Sequence, residues 1–214
     1  DPELNGLPLS TGTSMGIHES QSLFYENFIG RNEQFWKHNF KLLQKYSPEQ
    51  FGDVALEDFL KAINFVEPSF IRIEADELTY PLHIMIRYEI ERELFDGDLQ
   101  AEDLPTVWND KYEQYLGIRP ENDAQGVLQD MHWSGGSFGY FPSYALGYMY
   151  AAQWKAAMDK DIPNFDELLA EGNVTPIREW LTEKVHQHGA LKKPFELLQE
   201  GTGEGLNAAY LAKH

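Results

Sequence analysis

Apolar positions along the first third of the chain repeat every three to four residues, which predicts packed helices. Leu23, Phe24, Phe28 and Ile29 mark a helix that opens near His18 and stops at Gly30. Phe35, Trp36, Phe40, Leu42 and Leu43 mark a second over residues 33–46, broken by Ser47-Pro48. Leu56, Phe59, Leu60 and Ile63 mark a third over 56–66, ended by Pro68. The period then changes. Phe70-Ile71-Arg72-Ile73-Glu74-Ala75 alternates with period two and predicts a short half-buried strand with Arg72 and Glu74 on one face. Helical spacing returns over 80–95, through Leu82, Met85, Ile86, Ile90 and Leu94, and again over 102–116, ended by Gly117. Residues 126–148 fit no period, and the tail from Ala145 is helical with breaks near Pro163, Gly172, Gly189 and Gly201. The expected architecture is mainly α, a single mostly helical domain over 1–214 with a short β-strand insertion.

Composition narrows the classes. At 214 residues and 42% hydrophobic content the chain can bury a real core. Its formal charge of -18, from 17 basic and 35 acidic residues, repels a phosphate backbone, and Lys192-Lys193 is the sole basic doublet. Nucleic acid is therefore not an expected partner. The absence of cysteine removes disulfides, thiolate metal sites and a cysteine nucleophile, and fits the cytoplasm. No apolar run approaches the ~20 residues of a membrane span, so no membrane partner is expected. Asp1-Pro2, without a Met, reads as the interior of a longer protein, a processed product or a trimmed chain.

Two stretches carry candidate chemistry. His18-Glu19-Ser20-Gln21-Ser22 puts a carboxylate on or near a buried helix face, where an ionised Glu needs a cation or several donors; a metal, an Arg or backbone N–H groups would all serve. In the aperiodic segment, glycines allow close backbone approach, and His132, Trp133, Tyr140 and Tyr144 supply polar-tipped aromatics suited to a binding surface.

Three segments, His18-Glu19-Ser20-Gln21-Ser22, Ile71 to Tyr80 (IRIEADELTY) and Gly126 to Trp133 (GVLQDMHW), together resemble the carboxypeptidase Taq family of zinc metallocarboxypeptidases, whose later motifs have the forms HES(Q/N)S, I(R/A)xxADExTY and GxxQDxHW in this order. The family's His-Glu-x-x-His is absent, since no two of the seven histidines are four apart. The resemblance implies the C-terminal part of a helical metallopeptidase, truncated on its N-terminal side just after the zinc helix.

By the same resemblance Glu19 matches the third zinc ligand and Arg72 the residue that binds the substrate's free C-terminal carboxylate. For Arg72 a structural ion pair is the alternative. His132 and Tyr144 match the donors near the scissile carbonyl, where a phenol or imidazolium can stabilise a developing oxyanion. Asp76 and Glu77 are expected to cap a helix or support the site; His18 has no assigned role, and His186, His188 and His214 read as surface residues. The implied cofactor is zinc in the intact enzyme, with none held by this chain alone. The implied partners are peptides with a free C-terminus, the N-terminal part of the same enzyme, and a second copy in a homodimer. A non-catalytic peptide-binding or assembly module derived from such an enzyme is the alternative function.

Overall fold

The computed structural model describes residues 2–214. In chain order the α-helices are α1 Met15–Leu23, α2 Glu33–Tyr46, α3 Pro48–Phe51, α4 Leu56–Ile63, α5 Tyr80–Asp96, α6 Leu104–Leu116, α7 Pro142–Asp161, α8 Phe165–Ala170, α9 Thr175–Lys184, α10 Pro194–Thr202 and α11 Ala209–Lys213. The chain divides into two compact units, one of residues up to Asn64 with Leu146–His214, the other Phe65–Ala145.

In the first unit, Ser14 caps α1 by accepting the Ile17 N–H at 3.2 Å, and α1 widens directly into a π-helical stretch, Phe24–Gly30. Phe24, Trp154, Met158, Leu169, Ile177, Leu181 and Leu198 are fully enclosed in this unit's core. Asn32 caps α2 through the Gln34 and Phe35 N–H groups and donates to Asp166 at 3.0 Å, which fixes α2 against the start of α8. Phe59 of α4 packs into a nest of Trp36, Phe40 and Phe51. The expected helix over 56–66 stops at Ile63. Arg31 takes the Ile63 carbonyl and the Asn64 side-chain amide the Leu60 carbonyl, so the last turn is capped and Phe65 and Val66 are left exposed.

The second unit is built on α5 and α6, whose shared core holds Ile86, Ile90, Trp108, Tyr112 and Leu116. Trp108 and Tyr112 stack with ring centroids 5.2 Å apart. The strand expected over 70–75 does not exist, and no strand occurs among the described residues. Arg72–Glu74 is one 3₁₀ turn, with Arg72 buried and Ile73 exposed. The alternation was real in sequence, but a strand needs a partner strand. Here the Gln129 side-chain amide substitutes for one, donating to the Phe70 carbonyl at 2.7 Å and accepting the Arg72 N–H at 2.9 Å.

Candidate functional site

The frame of the site is the buried face of α5. Tyr80, His83, Arg87 and Glu91 follow one another at helical spacing and are all buried, so this face is polar while Ile86 and Ile90 fill the neighbouring one. Asp76 organises the turn that leads into the helix. Its Oδ1 accepts the Leu78 and Thr79 N–H groups, both at 2.9 Å, and its Oδ2 accepts the Thr79 hydroxyl and the Glu67 N–H. Burial pushes the Asp76 carboxyl up, but these bonds outweigh it and hold it below the usual carboxylate range.

Arg72 and Arg87 converge on one carboxylate, Asp130. Arg72 meets it side-on, with Nε at 3.1 Å and 3.2 Å from the two oxygens and Nη2 at 2.7 Å from Oδ1. The Arg87 guanidinium lies 2.6 Å from Oδ2. Arg87 also donates to the His83 carbonyl, the Tyr112 hydroxyl and Gln129 Oε1, and sits over Trp108, with its central carbon 4.5 Å from the ring centroid. Arg72 donates from Nη1 to the Tyr80 hydroxyl at 2.6 Å, and its central carbon sits 4.9 Å from the Tyr144 ring centroid. A guanidinium has five N–H groups, so these bonds leave Arg72 one N–H on each of Nη1 and Nη2.

Two cations sharing one anion determine the protonation of the site. Burial raises the Asp130 carboxyl, but the two arginines more than reverse this and keep it ionised. His83, enclosed and hydrogen-bonded to the Tyr112 hydroxyl at 3.0 Å, is lowered to about 3 by burial and then by Arg87 and Arg72, so it is neutral. The two buried carboxylates of the unit, Asp76 and Glu91, accept from uncharged N–H and O–H donors.

His132 stands two residues beyond Asp130 and opens a single turn closed by a Schellman pair: Ser137 N–H to the His132 carbonyl at 2.8 Å and Gly136 N–H to the Trp133 carbonyl at 3.0 Å. Gly136 has φ 78°, which the motif requires at that position. The His132 ring lies 4.3 Å from the Phe141 centroid, and its Nε2 is hydrogen-bonded to the Tyr144 hydroxyl at 3.2 Å. Its Nδ1 is 3.8 Å from Asp130 Oδ1. Burial lowers the His132 pKa and the two arginines add to this against Asp130, so the ring is neutral near pH 7.

Arg72, His132 and Tyr144 therefore come together within the second unit. Glu19 belongs to the first unit, half-buried on α1. There α1 runs close against α7 at Gly147, where an added Cβ would fall 2.7 Å from the Glu19 Cβ. Among the described residues no group of three His, Cys, Asp or Glu is placed to hold a metal ion. His186 bonds to Gln21 at 2.8 Å, and the His214 ring packs 4.5 Å from Phe28. Sequence reasoning gave no role to Arg87, Gln129, Asp130 or Glu91. The signal for Arg87 and Glu91 was present, because polar residues recur at the spacing of one helix face.

A sequence profile of the carboxypeptidase Taq (M32) metallopeptidase family matches residues 1–214. Carboxypeptidase 1 of Bacillus subtilis is 63% identical over 211 residues, which is 99% of this chain and 42% of that protein. Thermostable carboxypeptidase 1 of Pyrococcus furiosus is 43% identical over 213 residues, 96% of this chain and 41% of that protein. The crystal structure of the M32 carboxypeptidase from Deinococcus radiodurans superposes with a TM-score of 0.94 at 40% identity, covering 100% of this chain and 43% of that one. The chain thus spans about two fifths of the length of the relatives it matches.

Proposed function

Because the chain belongs to the carboxypeptidase Taq (M32) metallopeptidase family, we propose that it forms part of a metallocarboxypeptidase that hydrolyses the C-terminal residue from peptides, and that its second unit grips the substrate's chain end. The observation that carries this reading is the Arg72–Asp130–Arg87 cluster, in which two buried guanidinium groups share one carboxylate. Such a cluster favours a further anion. A terminal carboxylate fits the two N–H groups that Arg72 has left, in the planar, two-point manner a guanidinium provides. Arg72 is 4% exposed, so a carboxylate bound there would be largely removed from water, which strengthens the pairing.

His132 and Tyr144, hydrogen-bonded to each other beside Arg72, are then the donors near the scissile carbonyl, which belongs to the residue preceding the one released. The bond they share uses one proton, so the bonded pair can direct either the Tyr144 O–H or the His132 Nε2–H at a carbonyl oxygen on which negative charge develops. Zinc is the metal this family resemblance implies, and it would supply the activation of water. Catalytic zinc takes three protein ligands, and the described residues do not assemble such a set. Glu19 is the single ligand proposed from this chain. A homodimer, a partner segment bearing two histidines and a cytoplasmic setting belong to the same proposal, and rest on the resemblance and on the cysteine-free composition.

The test is to incubate the intact natural protein with zinc and with matched peptides ending in a free carboxylate or an amide, and to identify the products by mass. Release of single C-terminal residues from the free acids is expected. No release from any free-acid peptide would favour the non-catalytic module.

A further inference from the structure

We propose that Glu91 is a positioning residue, whose carboxylate closes the loop from Trp133 to Gly139 and so holds His132 against Tyr144. Glu91 is 5% exposed, and each of its oxygens has one donor: Oε1 accepts the Trp133 indole N–H at 2.7 Å and Oε2 the Gly139 backbone N–H at 3.0 Å. The residues between these two donors, Ser134 to Phe138, are exposed to solvent. Their own backbone bonds are all local, from Gly135 to the Met131 carbonyl, through the capped turn that starts at His132, to Phe138 N–H on the Gly136 carbonyl. At the far end Phe138 packs edge-on against Phe95 of α5, with centroids 5.1 Å apart, and the backbone is tied to α5 at the next residue. The bond from Gly139 to Glu91 fixes the backbone there, at a residue in the left-handed conformation with φ 73°.

The consequence falls on His132. The residues just after Gly139, Tyr140 and Phe141, both face its ring, with centroids at 5.6 Å and 4.3 Å, while Trp133 follows it directly in the chain. α5 therefore brackets His132 twice, through Arg87 to Asp130 on one side and Glu91 to Trp133 on the other, one helical turn apart. Glu91 makes no contact proposed for substrate. Its role for catalysis rests on the proposed function of His132, whereas the loop closure itself does not.

The test uses the full 214-residue chain with Glu91→Gln and Trp133→Phe, read by NMR and amide hydrogen exchange. Glutamine is nearly isosteric but turns an NH2 toward one of the two donors, so one bond is lost. In Glu91→Gln whichever of the Gly139 amide and the Trp133 indole N–H loses its acceptor should exchange about tenfold faster relative to core amides, the equivalent of one hydrogen bond. The cross-peaks between the His132 and Tyr144 rings should weaken. Trp133→Phe should weaken the same cross-peaks while leaving Gly139 protected. Unchanged His132–Tyr144 cross-peaks in folded Glu91→Gln would overturn the proposal, and should that variant fail to fold, unchanged cross-peaks in Trp133→Phe would do so. Neither readout requires catalysis, so a failure here is separable from a failure of the peptidase reading.

Discussion

The Asp130 carboxylate occupies the Nε–Nη2 edge of Arg72, with its shortest contact at 2.7 Å. What Arg72 can offer a ligand is therefore its outer end, held in a fixed direction. On the proposed reading, substrate recognition and the stability of the second unit would meet in one residue pair.

Asp130→Asn should destabilise the second unit strongly. It leaves Arg72 and Arg87 buried without a counter-charge, and breaking a buried pair from one side costs about 3–5 kcal/mol. Urea unfolding would register this as a lowered midpoint. A loss below about 1 kcal/mol would mean that water or another acid compensates, and the cluster would not be the anchor described above.

Stability should decline below pH ~6.5 because of His83. Burial, Arg87 and Arg72 lower its folded-state pKa to about 3, against ~6.5 in the unfolded chain. Between these values the unfolded state binds a proton that the folded state refuses, so stability falls as pH falls, by up to about 1.4 kcal/mol per pH unit. Above the unfolded pKa the contribution is constant. Urea midpoints at about pH 7.5 and 5.5 should show the drop, and His83→Gln should flatten it. An unchanged slope in that variant would assign the effect elsewhere, with His132, shifted in the same direction, as the next group to test.

Gly147→Ala should destabilise the first unit although alanine is the better helix former. The new Cβ would lie 2.7 Å from the Glu19 Cβ and 3.0 Å from Leu23 Cδ1, so α1 and α7 must part. Overpacking of this kind costs about 1–3 kcal/mol, more than the ~1 kcal/mol gained in helix propensity. Thermal unfolding would detect it, and a stabilised variant would show that α1 shifts freely.

The helices were largely legible because their apolar residues recur at helical spacing, as Phe35, Trp36 and Phe40 do. The stretch at 70–75 was misread for a physical reason. Its alternation has the period of a half-buried strand, but a glutamine 59 residues away satisfies the Phe70 carbonyl in place of a partner strand. On α5 the apolar stripe was read correctly at Ile86 and Ile90 but extended to Met85, which is 45% exposed. The polar face through Arg87 and Glu91 was overlooked, since buried charge is normally the exception. Asp130 was visible as a letter of a motif, but only the fold reveals that it serves two arginines at once.

Metal binding should be split between this chain and the rest of such an enzyme. After chelation and dialysis the 214-residue chain is expected to retain no stoichiometric zinc, because one carboxylate is too weak a ligand set. Adding a segment that carries the two histidines of a His-Glu-x-x-His helix should restore zinc and peptidase activity together. Glu19→Gln should abolish that restoration. Tight zinc binding by the chain alone, lost on Glu19→Gln, would contradict the split.

The most direct test of the central claim is the effect of Arg72→Ala in the intact natural protein on kcat/KM for paired peptides that differ only in ending with a free carboxylate or an amide. The account predicts a large fall for the free acid, little change for the amide, and poor rescue by Arg72→Lys, which keeps the charge without the two-point geometry. An equal fall for both substrates would contradict it and leave Arg72 as Asp130's structural partner alone.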